Sequence, residues 1–177
     1  MQKLITNLCI IRDGSKILLG KKTRKLGEGF FNGPGGKVEE DENIVDSTIR
    51  EVQEEVGLKV KNLERVGKIS FEFQDKSQGV VMHVFLTTDF EGNIVDSDQM
   101  KEVQWFNVGE LPYDSMWADD RIWLPMLLEG KKIEAKFIFD HPSTSEHPGN
   151  ILSHILTEVV EIQDEIGEIQ KKPWKIK

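Results

Sequence analysis

One cysteine in 177 residues, Cys9, has no partner for an internal disulfide, so the chain lacks the cross-linked framework of small secreted domains. Cys9 lies in the apolar run LITNLCII and reads as a small buried hydrophobe. Cationic side chains are in deficit: 23 Lys and Arg face 31 Asp and Glu, for a formal net charge of -8. Nucleic-acid backbones and anionic membranes reward the opposite balance, which argues against either as the main partner. An anionic small molecule is compatible with this balance if cations mediate its binding. Long hydrophobic runs are missing too, and VVMHVFL falls far short of a membrane span. Only LITNLCII separates Lys3 from Arg12 and no small-residue cleavage site follows, so the N-terminus does not read as a signal peptide. These absences lead us to expect a soluble cytoplasmic protein of one domain plus a tail.

What is present alternates between two patterns. KLITNLCII, SKILLGKK, KISFEFQ, VVMHVFLTTD, EVQWFNV and KIEAKFIF are short and rich in β-branched and aromatic residues, and turn signals such as Asp13-Gly14 punctuate them. These predict strands. Between them, residues 44–56 carry apolar side chains at helical spacing, with Asn43 as N-cap, Asp46 in the first turn and Gly57 at the left-handed C-terminal position. A second helix is expected over Asp119 to Leu128. Strands with interspersed helices and no strict alternation imply an α/β fold with a mixed sheet and helices on its faces. Residues 141–150, HPSTSEHPGN, read as a loop. In ILSHILTEVVEIQDEIGEI, apolar pairs every four positions favour a helix, although its first ten residues also suit a strand.

The segment REVQEEVG sets Glu51, Glu54 and Glu55 along one flank of the first helix. Exposed like charges at such spacing cost only about 0.2 to 0.5 kcal/mol per pair, so the cluster alone reads as a solvated face. NGPGGKVEEDE, just ahead of it, supplies glycines that leave little bulk near a ligand. A hard divalent cation takes carboxylates, waters and substrate phosphates as ligands, and the glycine loop can add a backbone carbonyl. Lys22, Arg24 and Lys37 are candidate phosphate anchors.

GKVEEDENIVDSTIREVQEEVGL, residues 36–58, resembles the Nudix box: Gly36, Glu42, Arg50, Glu51, Val52, Glu54, Glu55, Gly57 and Leu58 occupy its fixed positions. The resemblance implies a Nudix α/β/α sandwich and Mg²⁺- or Mn²⁺-dependent hydrolysis of a nucleoside diphosphate linked to another group. It further implies that Glu51, Glu54 and Glu55 share ligand and general-base roles, that Arg50 holds a helix carboxylate, and that the metal set comprises Gly35, Glu51, Glu54, Glu55 and Glu102. For Glu102 the alignment is open, because Gln99 suits the same position.

The likeness extends over roughly residues 3–160, which implies a Nudix domain over residues 1–160 with 161–177 as a C-terminal extension. LLGKK, NGPGGKV, VGKISFEF, SDQMKEVQWF and above all MWADD are similar to the branch of the family acting on oxidised purine nucleoside triphosphates, which releases the monophosphate and pyrophosphate and so sanitises the nucleotide pool. That branch implies base stacking on Trp117 and hydrogen bonds from Asn32, Asp119 and Asp120, with Asn7, Lys22, Leu26, Phe73 and Val80 completing the pocket. Leu26 stands where the branch has an aromatic, Val80 for a methionine and Asn7 for a threonine. Asp119 as a helix cap and Trp117 as a core residue are the plainer reading. Other Nudix substrates such as ADP-ribose, or a non-catalytic nucleotide sensor, remain alternatives. A monomer is expected, and an amphipathic C-terminal helix would offer a surface for a partner or a second copy.

Overall fold

The computed structural model describes residues 2–163. Ten strands and two helices follow in the order β1 (Leu4–Asp13), β2 (Lys16–Lys22), β3 (Phe31–Asn32), α1 (Ile44–Val56), β4 (Lys59–Lys61), β5 (Glu64–Phe73), β6 (Val80–Thr87), β7 (Asp89–Glu91), β8 (Met100–Asn107), α2 (Asp120–Leu128), β9 (Lys132–Phe139) and β10 (Ile151–Val159). The main sheet runs β10-β9-β5-β6-β1-β2-β3, with β8 also on β2, while β4 and β7 form a separate ribbon. It is mixed: β1 with β6 and β5 with β9 are parallel, and the other pairs antiparallel. Among the described residues no helix is long and apolar enough to cross a membrane.

Central strands are apolar on both faces because both faces are covered. On β1, Leu8 and Ile10 join one core with Phe71, Phe137, Trp123 and Leu127, whereas Cys9 and Ile11 join another with Val45, Val52 and Val56 of α1. The two cores flank the sheet, giving helix, sheet, helix layers. α1 follows its sequence signals: the Asn43 side chain accepts from the Asp46 N–H at 2.9 Å, and Gly57 takes φ 80°.

One segment departs from expectation. Residues 151–159 form strand β10, paired antiparallel to β9 with a register shift between Ile151 and Ser153, and not the favoured helix. In the first two apolar pairs only one member packs: Ile151 and Leu156 lie against the core while Leu152 is 49% and Ile155 71% exposed. The free edge of β9 offers a full ladder of backbone partners, which outweighs a helical periodicity that has no second apolar surface to meet. The remainder of that segment and most of the extension lie outside the described residues.

The sheet also opens where the site is built. β1 and β2 pair only beside their turn, at Arg12 with Ile17 and Asp13 with Lys16. Loop 33–37 then takes the vacated place along β1: the N–H groups of Asn7 and Cys9 donate to the carbonyls of Gly36 and Pro34 at 2.9 and 2.8 Å. A Cβ on Gly35 would overlap the Asn7 carbonyl, so the glycines let this loop lie flat against the strand.

Candidate active site

A cavity of about 430 Å³ opens between loop 33–37, α1, the ends of β5 and β6, and the start of α2. Asn7, Lys22, Leu26, Asn32, Gly35, Arg50, Glu51, Glu54, Glu55, Phe73, Val80, Trp117, Asp119 and Asp120 all line it. Of the expected site residues only Glu102 does not. Its carboxylate pairs with Lys21 Nζ at 2.9 Å, on the side of β2 opposite Lys22, and Gln99 lines the cavity in its stead. Residues on a strand alternate sides, which places Lys22 inside and Lys21 with Glu102 outside.

At the acidic wall Arg50 is the organiser. It bonds Glu42 twice, Nη2 to Oε1 at 2.6 Å and Nε to Oε2 at 2.9 Å, and its Nη1 bridges Glu51 at 3.0 Å and Glu54 at 3.1 Å. Glu42 is thus the other half of a bidentate clamp. Its hydrogen bonds to Arg50 lower its pKa to about 2. Glu55 is buried beside Glu51. Burial, with the Glu51 charge adding to it, raises its pKa to about 7 against the opposing pull of Lys22 at 3.6 Å and of the Gly35 N–H. Asn7 braces this wall, donating to Ser47 Oγ at 3.0 Å and accepting from the Gly36 N–H at 3.2 Å.

Among the described residues no three carboxylate, imidazole or thiol groups are already converged as a cation cage. The donor set nevertheless fits one. Glu51, Glu54 and Glu55 edge one cavity, and Gly36 leaves room for Glu51, since a Cβ there would stand 2.7 Å from its carboxylate. Among the described residues no hydrogen bond reaches the Gly35 carbonyl, although its neighbours Pro34 and Gly36 both accept from β1. Glu54, with its side chain 46% exposed, can turn from Arg50 toward a cation.

Another stretch of wall is aromatic and acidic. Trp117 is held by Phe30, Phe71 and Phe139, with ring centroids 6.4, 6.1 and 5.5 Å away. Asp119 and Asp120 are buried, and among the described residues nothing bonds Asp119 Oδ1 or Asp120 Oδ2. Asp119 stands before the first turn of α2 but does not cap it: its Oδ2 turns inward and accepts from Trp123 Nε1 at 2.7 Å. Burial raises Asp119 to about 6, and burial with the Asp119 charge raises Asp120 well above the carboxylate range. Both aspartates line the cavity, so these oxygens can bond a polar group that enters it.

Several lining residues escaped the sequence reading, among them Lys25, Phe71 and Met82. Two had a signal: Phe71 is two residues from Phe73, and Met82 two from Val80, on strands where that spacing shares a face.

Comparison with known proteins agrees with this geometry. The profile of the family described as NUDIX domain matches residues 2–127. The oxidized purine nucleoside triphosphate hydrolase of Mus musculus is 40% identical over 152 residues, 86% of this chain and 93% of that protein. The protein of the same description from Danio rerio is 39% identical over 146 residues, 82% of this chain and 92% of that one. Among solved structures, a mutator MutT protein from Bacillus halodurans is 28% identical and superposes with a TM-score of 0.73, covering 86% of this chain and 97% of that chain. With the box residues Gly36, Arg50, Glu51, Glu54 and Glu55 lining one cavity and its sequence matched over most of its length, the chain belongs to the Nudix hydrolase family.

Proposed function

We propose that this chain hydrolyses oxidised purine nucleoside triphosphates to the monophosphate and pyrophosphate, removing them from the nucleotide pool. The observation that carries the reading is the pair of buried, unpartnered carboxyl oxygens of Asp119 and Asp120 beside Trp117, in the same cavity as the acidic ridge of α1. Carboxyl groups with raised pKa can hold a proton near neutrality, so the pair can donate as well as accept. That suits a purine edge whose donors and acceptors oxidation has rearranged. Trp117 offers a flat apolar face for the base. The oxidised purine hydrolases of mouse and zebrafish support the substrate class, since both match this chain over more than four-fifths of its length.

Nudix hydrolases use divalent metal ions, and we assign the Mg²⁺ or Mn²⁺ positions here to Glu51, Glu54, Glu55 and the Gly35 carbonyl. When bound, the metal supplies charge neutralisation at the phosphates and acidifies water. The chain's own groups do the rest. Arg50, anchored by Glu42, sets the rotamers of Glu51 and Glu54, and Lys22, Arg24 and Lys37 line the cavity where they can meet the phosphate oxygens.

The test is release of pyrophosphate from a panel of normal and oxidised purine triphosphates and ADP-ribose, with Mg²⁺ and with chelator. The expected outcome is chelator-sensitive turnover strongest for an oxidised purine triphosphate. Preference for ADP-ribose would overturn the substrate class, and metal-saturated inactivity on every nucleotide would return the chain to the sensor class.

A further inference from the structure

The loop between β2 and β3 contributes Arg24, Lys25 and Leu26 to the cavity wall, and its other side is tied to the segment joining β9 and β10. The Gly27 N–H donates to the Ser143 carbonyl at 3.0 Å, and the Ser145 N–H donates to the Glu28 carbonyl at 2.8 Å. The joining segment is itself braced. Asp140 accepts from the N–H groups of His141 and Asn150 at 2.8 and 2.7 Å, and buried Ser143 accepts through Oγ from the Gly149 N–H. These bonds hold the two ends of the segment together and turn Ser143 and Ser145 toward the loop.

The two walls around the base position are held differently. Trp117 is fixed by three phenylalanine rings. Leu26 is 40% exposed, so packing does little to hold it; the loop is turned by its own bonds, from the Glu28 N–H to the Lys25 carbonyl and from the Phe30 N–H to the Gly27 carbonyl, and the bonds to Ser143 and Ser145 set its place. Gly27 also lies close to the indole, where an added Cβ would stand 2.8 Å from Trp117 Nε1. A Cβ on Gly29 would overlap Ser145 Oγ, so the loop and the strap are fitted to each other at this point.

We propose that residues 140–150 form a strap that sets base selectivity from outside the cavity: by pinning Gly27 and Glu28 it fixes Leu26 and Gly27 at a set distance from Trp117. The proposal rests on the purine reading above. Ser143 and Ser145 do not line the cavity, so they are positioning residues acting through the loop.

Ser145→Pro removes the N–H that donates to Glu28, whereas Ser145→Ala keeps it. Steady-state kinetics on oxidised and ordinary purine triphosphates should show KM for the favoured nucleotide rising about ten-fold in Ser145→Pro, with selectivity narrowed, the scale of a lost pocket contact. kcat should stay within about two-fold, and Ser145→Ala should match wild type. A second pair controls for folding. Gly29→Ala should reproduce the defect, and Gly29→Ala with Ser145→Gly should recover, because the second change removes the atoms the new methyl meets. Strain at the positive φ of Gly29 is common to both, so recovery reports the strap alone. Unchanged KM and selectivity in Ser145→Pro, or an equal fall in kcat without a KM change, overturns the proposal. If wild type turns over no purine triphosphate, the substrate reading fails by itself. Tryptophan-quenching affinity for whichever nucleotide the wild type binds then decides the strap: weaker in Ser145→Pro than in Ser145→Ala upholds it, and equal affinity overturns it.

Discussion

Replacing Asp119 by Asn tests the electrostatics of the base-binding wall without a substrate. Burial raises Asp119 from 3.8 to about 6, so between those pH values the folded chain holds a proton that the unfolded chain has lost. Stability therefore falls as pH rises through this window: the contribution is complete below about pH 4 and gone above about pH 6. A shift of about two units at 1.36 kcal/mol each amounts to roughly 3 kcal/mol. An asparagine oxygen can accept the Trp123 Nε1 bond that Asp119 Oδ2 accepts now, and it has no proton to lose. Asp119→Asn should match wild type at pH 4 and exceed it at pH 7.5 by up to roughly 3 kcal/mol, a Tm gain of about 6 to 12 °C for a domain of this size. Thermal and urea unfolding of the nucleotide-free protein at both pH values reads the difference. A gap of the same size at pH 4 and pH 7.5 would refute the reasoning, because it would mean that the substitution alters packing and not a buried charge.

Glu54→Gln should lower turnover by about two to four orders of magnitude with nucleotide binding retained, as measured by pyrophosphate release and by titration; wild-type turnover would remove Glu54 from the chemistry. Trp117→Ala should weaken binding of the favoured purine by about 5- to 150-fold, the range of one lost base–aromatic stack, and flatten base preference in the same panel. Gly36→Ala places a methyl against the Glu51 carboxylate and should cost about 100-fold in kcat, the scale of an ångström of misplacement, while circular dichroism shows the fold intact. Arg50→Lys loses the two-point clamp on Glu42. Because the Glu42 pKa is lowered, the wild-type advantage is present above about pH 4.5 and fades toward pH 2, so a loss of about 1 to 2 kcal/mol in urea unfolding should appear at pH 7 and shrink in acid.

The first helix and its ridge were legible in the sequence because their determinants are local. Asn43, Asp46 and Gly57 cap the segment they terminate, and Glu51, Glu54 and Glu55 are set by helical spacing alone. Six strands were legible for the same reason, through runs dense in β-branched residues. Strand β10 was not, because its pairing depends on the free edge of β9, which no local pattern in residues 151–159 encodes. The short strands β3, β4 and β7, of two or three residues each, likewise depend on partners distant in sequence.

For the site, residue types and spacing determined which carboxylates stand together on α1, and the resemblance to a known box named their chemistry. Only the tertiary structure decided that Asp119 turns inward to Trp123 when it could have capped α2, that Gln99 and not Glu102 lines the cavity, and that loop 23–30 is tied to Ser143 and Ser145. The physical reason is common to all three: burial, strand facing and cross-chain hydrogen bonds arise from segments far apart in sequence. Their consequences, including the raised pKa of Asp119, exist only once the chain has closed around them.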